Sequence, residues 1–137
     1  MIRLARIALV VFAAALAGEI SRRRATDAPT QATSETPTQL DRADFLQPDA
    51  EWLVVVFTSS TCNSCTDVAT KAKVLASKQV AVQVVEFSQH RELHKRYGID
   101  SVPCLLMADA GGVVRQSYLG PVTATDLWAG LARVRES

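Results

Sequence analysis

Three cysteines are too few for the disulfide framework that holds many small secreted domains together, and two of the three stand only three positions apart. No charge of one sign dominates either: 15 Lys and Arg against 14 Asp and Glu leave a net charge of +1. Basic and acidic residues are interspersed over most of the chain, so the basic stripe that a nucleic-acid surface needs is missing. The one charge cluster, Arg22-Arg23-Arg24, stands where a membrane boundary is expected. At 137 residues the chain has room for one domain of ordinary size, not for two and a linker. It carries no internal repeat and no second C-x-x-C, which leaves a four-thiolate zinc site without half of its ligands.

What is present begins with an apolar run. Arg3 and Arg6 precede Ile7 to Gly18, which as a helix spans roughly 18 Å against about 30 Å of bilayer hydrocarbon. Extended from Ile2 to Ile20, with Arg6 and Glu19 reaching outward, it spans roughly 28 Å and just suffices. Residues 1–20 are therefore read as a single-pass anchor in the cell membrane. A signal peptide cleaved after Ala15-Leu16-Ala17 is the competing reading, opposed by Arg22 to Arg24 just beyond the site. Positive charge on the two sides nearly cancels, with the arginine triplet leaning toward a cytoplasmic domain. Residues 21–39 read as a flexible linker, since Ala25 to Gln39 includes no aromatic and no large aliphatic side chain to offset the entropy of ordering.

From Leu40 to Ser137 strand and helix signals alternate. Asp41 to Leu46 is a short helical candidate, and Trp52 to Thr58 an apolar run expected of a strand buried on both faces. Residues 63–77 place Val68, Ala72, Leu75 and Ala76 at helical spacing. Val80 to Phe87 is β-branched and reads as a second strand. His90 to Tyr97 is a short helix stopped by Gly98, with His90 and His94 on a solvated face beside Arg91, Glu92, Lys95 and Arg96. Cys104 to Ala108 and Val113 to Tyr118 are strands joined by a hairpin turn at Asp109-Ala110-Gly111-Gly112. Thr123 to Val134 is the last helix, with Thr123 or Thr125 as N-cap. The order β-α-β-α-β-β-α predicts an α/β fold with a mixed central sheet flanked by helices.

Cys62-Asn63-Ser64-Cys65 falls between the apolar strand and the next helix. Unpaired amides and the helix dipole gather partial positive charge there, which stabilises a thiolate and so makes a nucleophile near neutral pH. The earlier cysteine is the more exposed, so Cys62 is the expected attacking thiol and Cys65 the resolving one. A zinc half-site is the other use of such a pair, but only Cys104, His90 and His94 remain as partners. Forty residues on, Val102-Pro103 precedes an apolar strand, where a proline is tolerated at the strand's start.

Taken together, Val54 to Phe57 leading into the cysteine pair, and Arg96-Tyr97-Gly98-Ile99-Asp100-Ser101-Val102-Pro103 followed by Cys104 to Met107, a Gly-Gly turn and Leu119-Gly120, resemble a thioredoxin over residues 50–135 or so. The resemblance implies a thioredoxin fold, a cis Val102-Pro103 bond facing the cysteine pair, and peptide docking against the backbone of Val102. The expected activity is thiol-disulfide exchange with protein disulfides, an unidentified electron donor or acceptor as partner, and no prosthetic group or metal. Departures stand at Thr61, where the family usually has Trp, at Asn63-Ser64 in place of Gly-Pro, and at Val56 in place of a buried acid. Cys104 follows the proline where Thr is frequent. It reads as a buried small side chain, or as a third thiol near Cys62. These departures keep open a rival reading, a redox-inactive or Cu(I)-binding docking module on the same fold.

Overall fold

The computed structural model describes residues 35–137. The expected anchor over 1–20, and the linker as far as residue 34, lie outside the described residues. Among the described residues no helix is long and apolar enough to cross a membrane.

The sheet grows from its most apolar segment. Strand β1, Trp52–Thr58, is buried along its whole length. Strand β2, Val80–Glu86, runs parallel to it with Val54 opposite Val82 and Thr58 opposite Glu86. On the other side β3, Cys104–Ala108, is antiparallel to β1 with Phe57 opposite Cys104, and β4, Val114–Leu119, is antiparallel to β3. The four strands lie in the order β2-β1-β3-β4. Because side chains alternate along a strand, Val54, Val56, Leu105 and Met107 enter one core with Val68, Ala72, Leu127 and Leu131. Leu53, Val55, Phe57, Cys104 and Leu106 enter the other with Leu40, Phe45 and Val85. Each such fully buried Val or Leu removes apolar surface worth about 1.5–3 kcal/mol.

Helices α1, Cys65–Lys73, and α3, Ala124–Glu136, supply the helical side chains of the first core, and Leu93 and Tyr97, in and at the end of α2, Arg91–Arg96, pack on the second. Thr123 caps α3 by accepting from the Asp126 amide. Helix α1 stops four residues short of the predicted end at 77. There the amides of Leu75 and Ala76 turn to the carbonyls three residues back, 2.9 and 3.3 Å away, which tightens the last turn and seats Leu75 in the core. Gly98 closes α2 in the left-handed conformation at φ +61°.

Three further assignments made from sequence change. The last residues of the predicted linker are held: the Val114 amide donates to the Thr38 carbonyl at 2.9 Å, Gln39 bridges Val113, and Leu40 donates to the Gly112 carbonyl at 2.8 Å. His94 is not on a solvated face. It is 3% exposed, donates through Nε2 to the Val85 carbonyl at 2.8 Å, and meets the rings of Phe57 and Phe87 edge-on. His90, in contrast, stands partly exposed at the start of α2. The helical candidate at Asp41 to Leu46 shrinks to one 3-10 turn, Arg42–Asp44. Arg42 there is buried and donates to the carbonyls of Asp109 and Gln47.

Candidate functional site

Strand β1 delivers the chain at Thr58 into a loop that turns back on itself, with the Cys62 amide donating to the Ser59 carbonyl at 3.1 Å. Helix α1 then starts at Cys65, so one sulfur belongs to the helix's first residue and the other to the loop three residues before it. They are joined as a Cys62–Cys65 disulfide with Cα atoms 5.4 Å apart, inside the range that such a bond requires. Cys62 is half-buried and lies 3.8 Å from the Ser64 hydroxyl, sulfur to oxygen, whereas Cys65 is 2% exposed. One sulfur of the bond is thus open to an attacking thiolate and the other is screened by the helix.

The register brings the second sequence motif to the same end of the sheet. Since Cys104 pairs with Phe57, Pro103 comes level with the start of the cysteine loop. The Val102-Pro103 bond is cis, Val102 is half-buried, and the Pro103 carbonyl accepts from the Gly120 amide at 2.8 Å. Cys104 goes elsewhere. Its side chain belongs to the core with Phe57 and Leu106, on the face away from α1, and it is a free thiol. Burial first, and the nearby Asp100 charge second, push its pKa up to about 11. Val56 lies at the centre of the other core with Val54, Val68 and Leu105, so no acid stands behind the disulfide in β1.

Sequence reasoning missed one charged group here. Glu86, at the end of β2, lines a cleft of about 260 Å³ together with Cys65, Thr58, Ser60, Thr66 and Lys73. Its Oε1 accepts from the Ser60 amide at 3.2 Å, and its Oε2 from the Ser88 hydroxyl at 2.5 Å and the Gln89 amide at 3.2 Å. The Ser88 hydroxyl foremost, against a burial effect of opposite sign, and with the help of the surrounding amides, holds this carboxyl below its ordinary range. The signal in the sequence was faint: a lone acid closing a β-branched strand before a turn. Among the described residues no three His, Cys, Asp or Glu side chains gather as a metal site, so Cys104 does not join the pair as a third ligand.

A disulfide at the start of a helix, fed by a central strand and level with a cis proline in a four-stranded mixed sheet, defines a thioredoxin-like α/β domain. The thioredoxin family model matches residues 36–133, and the chain belongs to that family. Among solved structures it is similar to a malarial protein, at 17% identity and a TM-score of 0.55, over 61% of this chain and 96% of that one. It is also similar to a point-mutant thioredoxin from Halobacterium salinarum, at 19% identity and a TM-score of 0.54, over 66% of this chain and 80% of that one. At such identities the likeness concerns the fold alone. No curated protein matches the sequence.

Proposed function

We propose that the domain is a thiol-disulfide oxidoreductase acting on protein disulfides, with Cys62 as attacking thiol and Cys65 as resolving thiol. The single observation that carries this reading is the asymmetry of the pair: one sulfur half-buried, the other 2% exposed, bonded at a helix start. Reduced Cys62 attacks a substrate disulfide as thiolate, one substrate sulfur leaves as thiolate, and a mixed disulfide forms. Cys65 then attacks the Cys62 sulfur, which restores the internal disulfide and releases the second substrate thiol. The electrons reside on the sulfurs throughout, so no prosthetic group takes part. Val102, preceding the buried Pro103 at the same end of the sheet, supplies backbone for an extended substrate strand.

Insulin-disulfide reduction tests the assignment. Cys62→Ser abolishes turnover, while Cys65→Ser retains attack and accumulates a mixed disulfide visible by mass. Wild-type activity in both variants overturns the reading. A single-pass anchor over residues 1–20, holding the domain at a membrane, is part of the same proposal. Its test is fractionation of the full chain with membranes, against release of a double variant carrying Val10→Asp and Val11→Asp.

A further inference from the structure

We propose that Glu86 takes up the proton that Cys65 must lose before it can resolve a mixed disulfide. The inference rests on the oxidoreductase reading above and names a group which that reading leaves unassigned.

The need is set by burial. Cys65 is 2% exposed, a thiol attacks only as thiolate, and the strand behind it offers Val56, which accepts no proton. Its outlet is the cleft of about 260 Å³ that opens between the cysteine loop, α1 and the end of β2. Of the residues lining that cleft, Glu86 is the only carboxylate and Lys73 the only cation, and Thr58, Ser60 and Thr66 add hydroxyls along the way. The carboxylate is fixed in place: the Ser60 amide holds one oxygen, and the Ser88 hydroxyl and Gln89 amide hold the other. Each element around Glu86 contributes a defined set of charges. Helix α1 brings Lys73, the cysteine loop from Ser59 to Thr61 brings none, and the start of α2 brings His90 and Arg91. The His90 amide donates to the Glu86 carbonyl, and the Arg91 guanidinium sits over the Phe87 ring, 5.4 Å from its centre.

In the step itself the Cys65 proton passes through solvent in the cleft to Glu86. The Cys65 thiolate attacks the Cys62 sulfur, the Cys62–Cys65 bond forms, and the Cys62–substrate bond breaks. Its electron pair leaves on the substrate thiolate, and Glu86 returns the proton to solvent. Transfer from an ordinary thiol to an ordinary carboxylate is uphill by roughly four pKa units. The Ser88 hydrogen bond that holds Glu86 below its ordinary range widens that gap, so Glu86 acts as a transient acceptor rather than a resting base.

The test uses the full chain, reduced and then loaded at Cys62 with thionitrobenzoate, with release of the coloured thiolate followed by stopped flow. Glu86→Gln keeps an oxygen for the Ser60 amide but accepts no proton. It is expected to slow release about tenfold or more near pH 6 and to converge on the parent rate near about pH 9, where the thiol ionises unaided. Glu86→Asp restores part of the rate at the lower pH. A Glu86→Gln rate equal to the parent's at both pH values overturns the inference, as does equal slowing at both, which marks a purely structural role for the Ser88 and Gln89 contacts that the amide group disturbs. Parent protein that releases nothing at either pH overturns the oxidoreductase reading, and the role of Glu86 with it.

Discussion

Replacing Gly112 with alanine tests how the hairpin between β3 and β4 fastens the segment before β1. Gly112 has φ +81°, and a Cβ built there runs into the backbone carbonyl oxygen of Leu40. Holding alanine in the left-handed region costs about 1–2 kcal/mol. Moving the Leu40 backbone away sacrifices its 2.8 Å hydrogen bond to the Gly112 carbonyl, worth about 1 kcal/mol. It also draws out a side chain that is 1% exposed, and full exposure of a leucine costs about 1.5–3 kcal/mol. Gly112→Ala should therefore lose about 3.5–6 kcal/mol, lowering Tm by at least about 14 °C for a domain of this size. The neighbouring Gly111→Ala serves as control. Its Cβ meets only Asp109 Oδ1, at 3.4 Å, and no positive φ is required. Urea unfolding followed by fluorescence of the buried Trp52 measures both variants. Disulfide exchange at low temperature stays at the parent level in each, since the turn lies at the opposite end of β3 from Pro103. A Gly112→Ala loss below about 1 kcal/mol, or an equal loss in Gly111→Ala, refutes the reasoning.

Cys104, with its pKa raised to about 11 by burial, should remain unalkylated when the reduced native protein is treated with iodoacetamide near about pH 8, whereas Cys62 reacts. Peptide mass mapping decides, and labelling of Cys104 at the rate of unfolded chain contradicts its placement. The Asp109 carboxyl is penalised by burial but held below its ordinary range by the Val113 amide foremost, then by Arg115 and the Gly111 amide. Its contribution to stability is thus complete above the unfolded carboxylate pKa and lost as the pH falls through the lower folded value. Asp109→Asn should flatten this part of the acid limb in urea titrations below about pH 4, and an unchanged limb counts against it. His94→Ala removes a buried ring from between Phe57 and Phe87 and its hydrogen bond to Val85. The loss should be about 2–4 kcal/mol by chemical unfolding, and a loss within about 0.5 kcal/mol returns His94 to the surface.

The elements most legible in the sequence were those whose signal is self-contained. Trp52 to Thr58 and Cys104 to Ala108 form strands with the expected bounds, because an unbroken apolar run bounded by turn residues has few alternatives beside a buried strand. The cysteine pair was legible for the same reason, its strand-turn-helix setting being local. His94 was misplaced because its burial is decided by Phe57 and Phe87, on other elements, and the charged residues flanking it in α2 point outward. Thr36 to Gln39 has the composition of a tether, and much of what holds it is backbone hydrogen bonding, which composition does not encode. Glu86 stayed hidden because the cleft beside Cys65 exists only once β2 and the cysteine loop lie side by side.

A four-stranded sheet has two rims, and either can recruit a foreign chain by continuing the ladder. Here the β4 rim is partly occupied by the polypeptide's own approach: the Thr38 carbonyl sits on the Val114 amide, and the Thr36 and Ser117 hydroxyls meet at 3.2 Å. A version trimmed to begin at Leu40, the boundary that composition recommends, sheds this built-in selvedge and leaves β4 bare. Its solubility and tendency to self-associate then report on the missing threads rather than on the domain.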